Sequence, residues 1–242
     1  KLYNIYSMED EAMQQPYHLT GQGTQVDALQ QNRVLRNTYL LLALSMVPTV
    51  LGALVGVRLG FTFFAGSPLT SFLLFLGIAF AFMWGIERTK NSSMGVVLLL
   101  GFTFFMGLML SRILQVALGF SNGGSLIATA AGGTAAIFFT LAGVATATKK
   151  DFGFMGKFLF IGMVVVLLAS LANIFLMIPA LSLTISAVVV MIFSAYILYD
   201  IGRIVNGGED NYISATLAVY LDIYNVFVSL LNLLMAFSGD RD

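Results

Sequence analysis

The sequence contains no cysteine and a single histidine, His18, among its 242 residues. Without cysteine the chain can form neither a disulfide nor a thiolate metal site, and it has no cysteine nucleophile. Because His18 lies in the polar first thirty residues, a histidine-based metal site within the apolar part of the chain is excluded as well. Charged residues make up only 10% of the sequence and balance to a formal net charge of zero. This balance argues against nucleic acid as a partner.

The hydrophobic content argues against a water-soluble fold. Hydrophobic residues make up 58% of the chain, and the mean hydropathy is +0.90. A soluble domain carries roughly 25% charged residues, so this chain has too little polar surface to cover a globule in water. We therefore predict an integral membrane protein, nearly all of it embedded.

Seven apolar segments are long enough to cross a bilayer, which takes about 20 helical residues. Short polar connectors rich in Gly, Pro, Asn or charged residues separate them. Backbone groups in lipid must form hydrogen bonds within their own structure, and apolar runs of this length indicate helices and not barrel strands. The sequence thus predicts an all-α fold with seven transmembrane helices. The predicted segments are Asn37–Leu59, Pro68–Ile86, Met94–Leu118, Ser125–Thr148, Phe154–Leu176, Leu183–Val205 and Ile213–Phe237.

Lysine and arginine are distributed unevenly between the two sides of this arrangement. The side opposite the N-terminus has only Arg58 and Arg241, with Arg112 in the outer half of the third segment. Positive residues concentrate on the cytoplasmic side of membrane proteins, so we predict a cytoplasmic N-terminus and, after seven crossings, a C-terminus outside. The basic residues flanking the segments on the predicted cytoplasmic side are Arg33, Arg36, Arg88, Lys90, Lys149, Lys150, Lys157 and Arg203.

This topology divides the chain into a polar tail, residues 1–32, and a transmembrane domain, residues 33–242. The tail is rich in glutamine and acidic residues, a composition typical of disorder. We expect it to be flexible and cytoplasmic, either a simple leader or a handle for a cytoplasmic protease or partner.

Three glycines recur every four residues in the first apolar segment. Gly52, Gly56 and Gly60 would allow another helix to approach closely. We favour packing within the chain over a homodimer contact.

Two of the twelve acidic residues, Asp200 and Asp222, fall inside apolar segments. A carboxylate within a membrane span is costly, and it marks by default an ion path, a proton relay or a paired structural site. At a rise of ~1.5 Å per residue, Asp200 lies about 9 Å before Asn206 and Asp222 about 13 Å beyond Ile213. Consecutive helices joined by a short connector are neighbours, so the two carboxyl groups are predicted to meet at similar depth.

Two carboxyl groups in contact at low dielectric cannot both ionise cheaply, and they tend to share a proton. With that proton the pair holds two helices together. Without it the carboxylates repel and offer oxygen ligands to a hard cation such as Ca²⁺. Asp200 and Asp222 are therefore predicted to form a pH-sensitive latch whose carboxylates can contact a cation once it opens. The alternative is that each faces a cytoplasmic vestibule or belongs to a local polar network.

Other polar side chains near the pair are candidates for supporting it. Arg88 and Arg203 lie at the predicted cytoplasmic rim and could reach a carboxylate. Asn225 lies three residues beyond Asp222 and therefore on a similar helix face.

Four tyrosines also surround the pair in sequence. An interfacial aromatic belt explains them, although a hydroxyl could donate to Asp200, with Tyr199 as its immediate neighbour. These tyrosines are Tyr196, Tyr199, Tyr220 and Tyr224.

Intramembrane enzymes are not supported, and we expect no enzymatic activity. A rhomboid-type protease requires an intramembrane Ser–His pair, which the position of the only histidine excludes. An intramembrane aspartyl protease carries Gly-x-Gly-Asp, whereas Asp222 follows Val219-Tyr220-Leu221. A coupled transporter remains open because paired aspartates can carry protons, although seven spans show no obvious inverted halves.

The segments Ser194–Asp200 and Leu217–Leu231 resemble the last two helices of the Bax inhibitor (TMBIM) family. The runs Arg33–Tyr39 and Asn211–Leu217 are similar to its bacterial YccA-type branch, and the resemblance covers about residues 33–237. It implies a seven-helix fold in which the last helix is central and surrounded by the others.

The resemblance also implies a function. It implies a pH-sensitive passive calcium leak governed by an aspartate pair whose positions match Asp200 and Asp222. Leak-type relatives also have an arginine near the end of the second helix. Arg88 is its candidate counterpart here, at a position shifted along the sequence. YccA-type members are implied to restrain the membrane AAA protease FtsH through the N-terminal tail. We therefore expect a calcium leak channel in a bacterial inner membrane, with calcium as the permeant ion and no cofactor. The alternative is a non-transporting interaction protein that modulates FtsH.

Overall fold

The computed structural model describes residues 17–61 and 67–239, with side chains from residue 29 onward. Throughout these ranges the regular structure is helical and no strand occurs. Seven of the helices are long and apolar enough to cross a membrane. The prediction of an all-α integral membrane protein with seven transmembrane helices is confirmed.

The helices follow one another through short connectors, and each predicted segment lies on one of them. A 3₁₀ turn, Gly153–Met155, leads into the fifth helix. The helices are α1 (Tyr17–Arg58), α2 (Pro68–Thr89), α3 (Ser93–Leu118), α4 (Gly123–Thr148), α5 (Gly156–Leu176), α6 (Pro179–Val205) and α7 (Tyr212–Ser238).

Local sequence explains where several helices begin and end. Ser67 and Asn211 are N-caps of α2 and α7, and each side chain accepts a hydrogen bond from a first-turn amide. Pro179 opens α6 at a position where its missing N–H is not needed. Lys149 and Met177 adopt left-handed backbone angles, with φ of 50° and 52°, and end α4 and α5.

The first helix is longer than a membrane crossing requires. It has 42 residues, and its apolar part, Leu29–Arg58, is enough to span. Residues 17–32, predicted as part of a flexible tail, are therefore helical, while residues 1–16 lie outside the described part of the chain. A helix already nucleated by the span extends at low cost, and the Gln, Ala and Leu residues that precede the span are good helix formers.

The last helix lies at the centre of the bundle, as predicted. α7 packs against α1, α2, α3, α4 and α6. Twelve of its 27 residues are buried, including Tyr220, Asp222 and Leu231. α5, by contrast, packs mainly on α6 and buries only Leu159 among its residues.

Glycines allow α1 and α3 to approach closely. Gly52 and Gly56 of α1 and Gly107 of α3 pack against the facing helix. A Cβ on Gly52 would meet the carbonyl oxygen of Phe104, and one on Gly107 would meet that of Thr49. Two of the three regularly spaced glycines thus serve packing within the chain, while the third lies in the turn that follows α1.

Candidate functional site

Asp200 on α6 and Asp222 on α7 face each other inside the bundle. Their carboxyl groups lie within hydrogen-bonding reach of one another. Asp222 is 4% exposed, and the side chain of Asp200 is 12% exposed. At a rise of ~1.5 Å per residue, Asp200 lies about 8 Å before the end of α6 and Asp222 about 15 Å beyond the start of α7. The structure thus brings the two predicted residues together.

One oxygen of Asp222 lacks a conventional partner. Atom Oδ2 is buried, and no described residue donates a hydrogen bond to it. A buried carboxylate in this position would lose its hydration with little in return. A proton held between the two aspartates would let one carboxyl group donate to the other. The geometry therefore favours a pair that carries one proton.

Arg203 lies close to Asp200, one turn further along α6. Its Nη1 is 4.0 Å from Oδ1 of Asp200, and its Nη2 is 3.5 Å from Oε2 of Glu209. Nη2 also donates to the carbonyl oxygen of Gly208 at 3.0 Å. The arginine predicted to support the pair is thus shared with Glu209, which was not predicted from sequence. In the sequence, the only indication of this contact is that Glu209 follows Arg203 by six positions, across a turn.

The neighbouring tyrosines of α6 take different positions. Tyr196 lies near both aspartates. The guanidinium carbon of Arg203 lies 5.7 Å from the ring centre of Tyr199. The hydroxyl of Tyr199 faces Gly156 of α5. Tyr199 is therefore linked to the pair through Arg203.

Two other predicted supporting residues point elsewhere. Asn225 donates to the carbonyl oxygen of Leu221 in its own helix at 2.8 Å. Arg88 is exposed on α2, and its guanidinium lies 5.3 Å from the ring centre of Trp84. The structure does not bring Arg88 to the aspartate pair.

Tyr220 and Tyr224 also face away from the pair. The hydroxyl of Tyr220 lies 2.9 Å from Oγ1 of Thr49 and 3.5 Å from the carbonyl oxygen of Thr103. The hydroxyl of Tyr224 donates to the carbonyl oxygen of Met106 at 3.3 Å. These two tyrosines fasten α7 to α1 and α3, and their grouping around the aspartates, expected from sequence, is wrong.

Arg112 lies on the other half of the molecule from the pair. It is exposed and lines a cavity of about 370 Å³ between α3 and α7, together with Tyr224 and Asn232. A long side chain at this depth can extend its charge toward the nearer membrane interface.

The connector between α6 and α7 is fastened to the two other connectors at its end of the bundle. Asn206 donates to the carbonyl oxygen of Lys150 at 3.0 Å. Asn211 donates to the carbonyl oxygen of Lys90 at 3.1 Å and to the side-chain oxygen of Asn91 at 2.9 Å. These bonds fix the relative depth of the two helices that carry the aspartates.

The aspartate pair alone does not form a complete calcium site. In the described ranges no group of three or more His, Cys, Asp or Glu residues could hold a metal ion. Ca²⁺ takes about 6–8 oxygen ligands, whereas Asp200 and Asp222 together offer four carboxylate oxygens. Such a pair suits transient contact with a cation better than tight retention.

Comparison with known proteins adds a family to this geometry. The family model described as "Inhibitor of apoptosis-promoting Bax1" matches residues 31–239. "Modulator of FtsH protease YccA" of Escherichia coli strain K12 is 40% identical over 212 residues, covering 88% of this chain and 94% of that protein. The protein from a second E. coli strain, equally similar, is named "Inner membrane protein YccA". An uncharacterized protein of Neisseria meningitidis serogroup A is 40% identical over 212 residues, covering 87% of this chain and 93% of its own length. The chain belongs to the Bax inhibitor family.

Proposed function

We propose that this protein is a passive, pH-sensitive cation leak gated by Asp200 and Asp222, with calcium as the permeant ion. The observation that carries the proposal is the contact between two carboxyl groups inside the bundle, one of them on the central helix. The buried Oδ2 atom without a donor supports it, because the pair is then stabilised by a proton that solution pH can remove.

The gate works through repulsion. While one proton is shared, the carboxyl groups attract each other and hold α6 against α7. At higher pH the proton leaves, and two negative charges ~4 Å apart repel by about 4 kcal/mol at an effective dielectric of ~20. This repulsion favours local separation of the two helix faces. Opening is therefore expected as pH rises.

Arg203 stabilises the open state in this proposal. Its Nη1 already lies 4.0 Å from Asp200, so a small rotation away from Glu209 would pair it with the newly charged carboxylate. The carboxylates freed from each other would then contact a passing Ca²⁺. Because the pair supplies few ligands, the ion would leave as readily as it arrives.

The test is calcium flux into proteoliposomes as a function of pH, with wild type beside Asp200→Asn and Asp222→Asn. Asparagine keeps the size of the side chain but cannot ionise. We expect wild-type flux to increase with pH and both variants to lose this response. Asp210→Asn, in the exposed connector between α6 and α7, is the matched control and should respond as wild type does.

Two results would contradict the leak proposal. The first is an absence of flux at every pH from wild-type protein that is folded. The second is a pH response that survives in Asp200→Asn and Asp222→Asn. Either result would leave the pair as a structural contact.

We also propose, as a second function, that the protein binds and modulates the membrane protease FtsH. The name of the E. coli relative, 40% identical over most of both chains, supports it. The helical extension of α1 from Tyr17 to the start of the apolar part supplies an extramembrane element that a partner could contact.

Deletion of residues 1–28 tests this second function and leaves the apolar part of α1 intact. We expect the deletion to reduce co-purification with FtsH while the pH response of calcium flux persists. Asp200→Asn should have the opposite effect. Equal FtsH binding by the deletion variant and the wild type would refute a role for the N-terminal segment. Loss of both activities in both variants would indicate misfolding.

A further inference from the structure

A large apolar groove lies between α1 and α4, on the opposite side of α7 from Asp222. Its volume is about 1080 Å³, and α3 and α7 form its floor. Pockets that hold a drug-sized ligand measure about 300–1,000 Å³, so this groove is slightly larger than that range. Alanines and Gly143 on α4 leave the space open. We call it the α1–α4 groove.

The few polar side chains in the groove are already bonded within the protein. Thr134 and Thr146 donate to carbonyl oxygens of their own helix at 2.8 and 2.7 Å. Thr49 donates to the carbonyl oxygen of Ser45, and its hydroxyl also lies 2.9 Å from that of Tyr220. Apart from the hydroxyl of Tyr39, the groove therefore presents mainly hydrocarbon, which favours an apolar occupant.

The groove is open on the side that faces the bilayer. Phe139 of α4 and Val50 and Leu54 of α1 line it, and they are 70%, 56% and 52% exposed. In a membrane, surfaces of this kind are in contact with lipid chains. An acyl chain can therefore enter sideways without any movement of the helices.

Basic residues lie at one end of the groove. On α1 the lining residues recur every three to four positions from Val57 back to Tyr39, and the next position is Arg36. On α4 the last lining residue is Thr146, and Lys149 and Lys150 follow three and four positions later. Toward the opposite end, the described residues include Arg58 at the end of α1 and Arg112 on α3, which lines a separate cavity.

The basic residues Arg36, Lys149 and Lys150 have no acidic partner in the part of the chain described here. The ion pairs found there involve Lys90 and Arg203 only. Arg36, Lys149 and Lys150 are all exposed. Unpaired cations that follow the lining residues on both helices of a transmembrane cleft suit the phosphate of an anionic lipid.

We propose that the α1–α4 groove binds an anionic phospholipid. One acyl chain occupies the groove, and the phosphate lies among Arg36, Lys149 and Lys150. With the orientation predicted from the basic residues, the lipid belongs to the cytoplasmic leaflet. It packs against Tyr220 and Tyr224 of α7, each two residues from Asp222 and therefore about 200° around the helix from it. The lipid thus supports the central helix from behind the aspartate pair.

Two glycines of α4 provide a matched pair of variants for testing the groove. A Cβ on Gly143 or on Gly132 would meet nothing within 4 Å, so a side chain can start at either position without a clash at its first atom. Gly143 lines the groove, whereas Gly132 does not. Both substitutions improve helix propensity. Gly143→Leu should fill the groove, and Gly132→Leu is its control.

Charge is tested with a second pair of variants. Arg36→Gln with Lys149→Gln removes two charges at the groove, while Arg88→Gln with Lys157→Gln removes two exposed charges elsewhere. A basic residue near an anionic lipid surface contributes ~1 kcal/mol, so the first double variant should bind roughly tenfold or more weakly. The second double variant should bind as wild type does.

Native mass spectrometry of the full-length protein, titrated in detergent with phosphatidylglycerol or phosphatidylcholine, measures binding directly. We expect tight binding of phosphatidylglycerol alone, which Gly143→Leu and the Arg36/Lys149 variant weaken and their controls do not. Equal binding of both lipids would overturn the charge argument. Phosphatidylglycerol binding that is unaffected by Gly143→Leu would place the lipid outside the groove. A dimer that Gly143→Leu separates would show a second copy of the chain in the groove and overturn the proposal.

The charge variants keep the proposal testable if the leucine variants fold poorly. They leave the apolar interior unchanged, so reduced affinity for phosphatidylglycerol in them reports on the head-group site alone. Unchanged affinity in Arg36→Gln with Lys149→Gln would refute that site.

Discussion

At the residue scale, the two aspartates of the pair are not equivalent. Asp222 is the more deeply buried, and its Oδ2 has no donor from the described residues. Asp200 lies 4.0 Å from Arg203, which partly compensates a negative charge. When the pair holds one proton, the charge is therefore better placed on Asp200 and the proton on Asp222. Glu209 affects this asymmetry because it competes with Asp200 for the guanidinium of Arg203.

Also at the residue scale, Gly107 sets the separation of α1 and α3. A Cβ at this position would collide with the backbone carbonyl group of Thr49, which cannot rotate aside as a side chain can. We expect Gly107→Ala to lower the free energy of unfolding by about 1–3 kcal/mol, even though alanine favours helix. Gly101→Ala on the same helix is the control, because its Cβ would meet only a ring atom of Phe82, at 3.6 Å. Thermal unfolding in detergent distinguishes them, and equal melting temperatures would show that the two helices can move apart freely.

At the element scale, Asn211 has two roles at the start of the central helix. Its side-chain oxygen accepts from the amides of Ile213 and Ser214 at 2.9 and 3.2 Å. Its side-chain nitrogen donates to Lys90 and Asn91 in the connector between α2 and α3. It therefore both caps α7 and fixes that helix to its neighbours.

Substitutions at Asn211 should separate these roles. Asn211→Asp keeps the capping oxygen and loses the two donated bonds, whereas Asn211→Ala loses both functions. Losing an N-cap costs about 0.5–2 kcal/mol, so Asn211→Ala should be the less stable variant. Hydrogen exchange at the amides of Ile213 and Ser214 should accelerate in Asn211→Ala more than in Asn211→Asp. Equal acceleration in the two variants would mean that the capping bonds contribute nothing.

The elements were predictable from sequence because the hydrophobic length of each segment is a local property. The depth of Asp200 and Asp222 followed from the rise of a helix and the short connector between α6 and α7. Side-chain direction was less accessible. Tyr220 and Tyr224 lie close to Asp222 in sequence but on the opposite helix face, and local polarity does not reveal which neighbouring helix a face meets. The helical structure of residues 17–32 was not predicted for a similar reason. Their composition suggested disorder, whereas the adjacent transmembrane span extends its helix into them.

At the scale of the whole molecule, the ion pairs of the described residues concentrate at one end of the bundle. The aspartate pair lies nearer to that end, and the three connectors there are linked by the amides of Asn206 and Asn211. The basic end of the α1–α4 groove belongs to the same end of the molecule. The central helix α7 passes between the aspartate pair on one face and the groove on the other. A change at either face can therefore reach the other through a single packed helix.

The orientation of the whole molecule in the membrane gives the last prediction. The uneven distribution of lysine and arginine predicts that the connector between α6 and α7 is cytoplasmic and that the connector between α3 and α4 is outside. Because the chain has no cysteine, single cysteines can be introduced without other changes, and Ser121 and Asp210 are exposed positions in these two connectors. A membrane-impermeant maleimide should label Ser121→Cys in intact spheroplasts and Asp210→Cys only after the membrane is permeabilised. The reverse pattern would invert the molecule, place the aspartate pair near the outer surface, and move the proposed phospholipid to the outer leaflet.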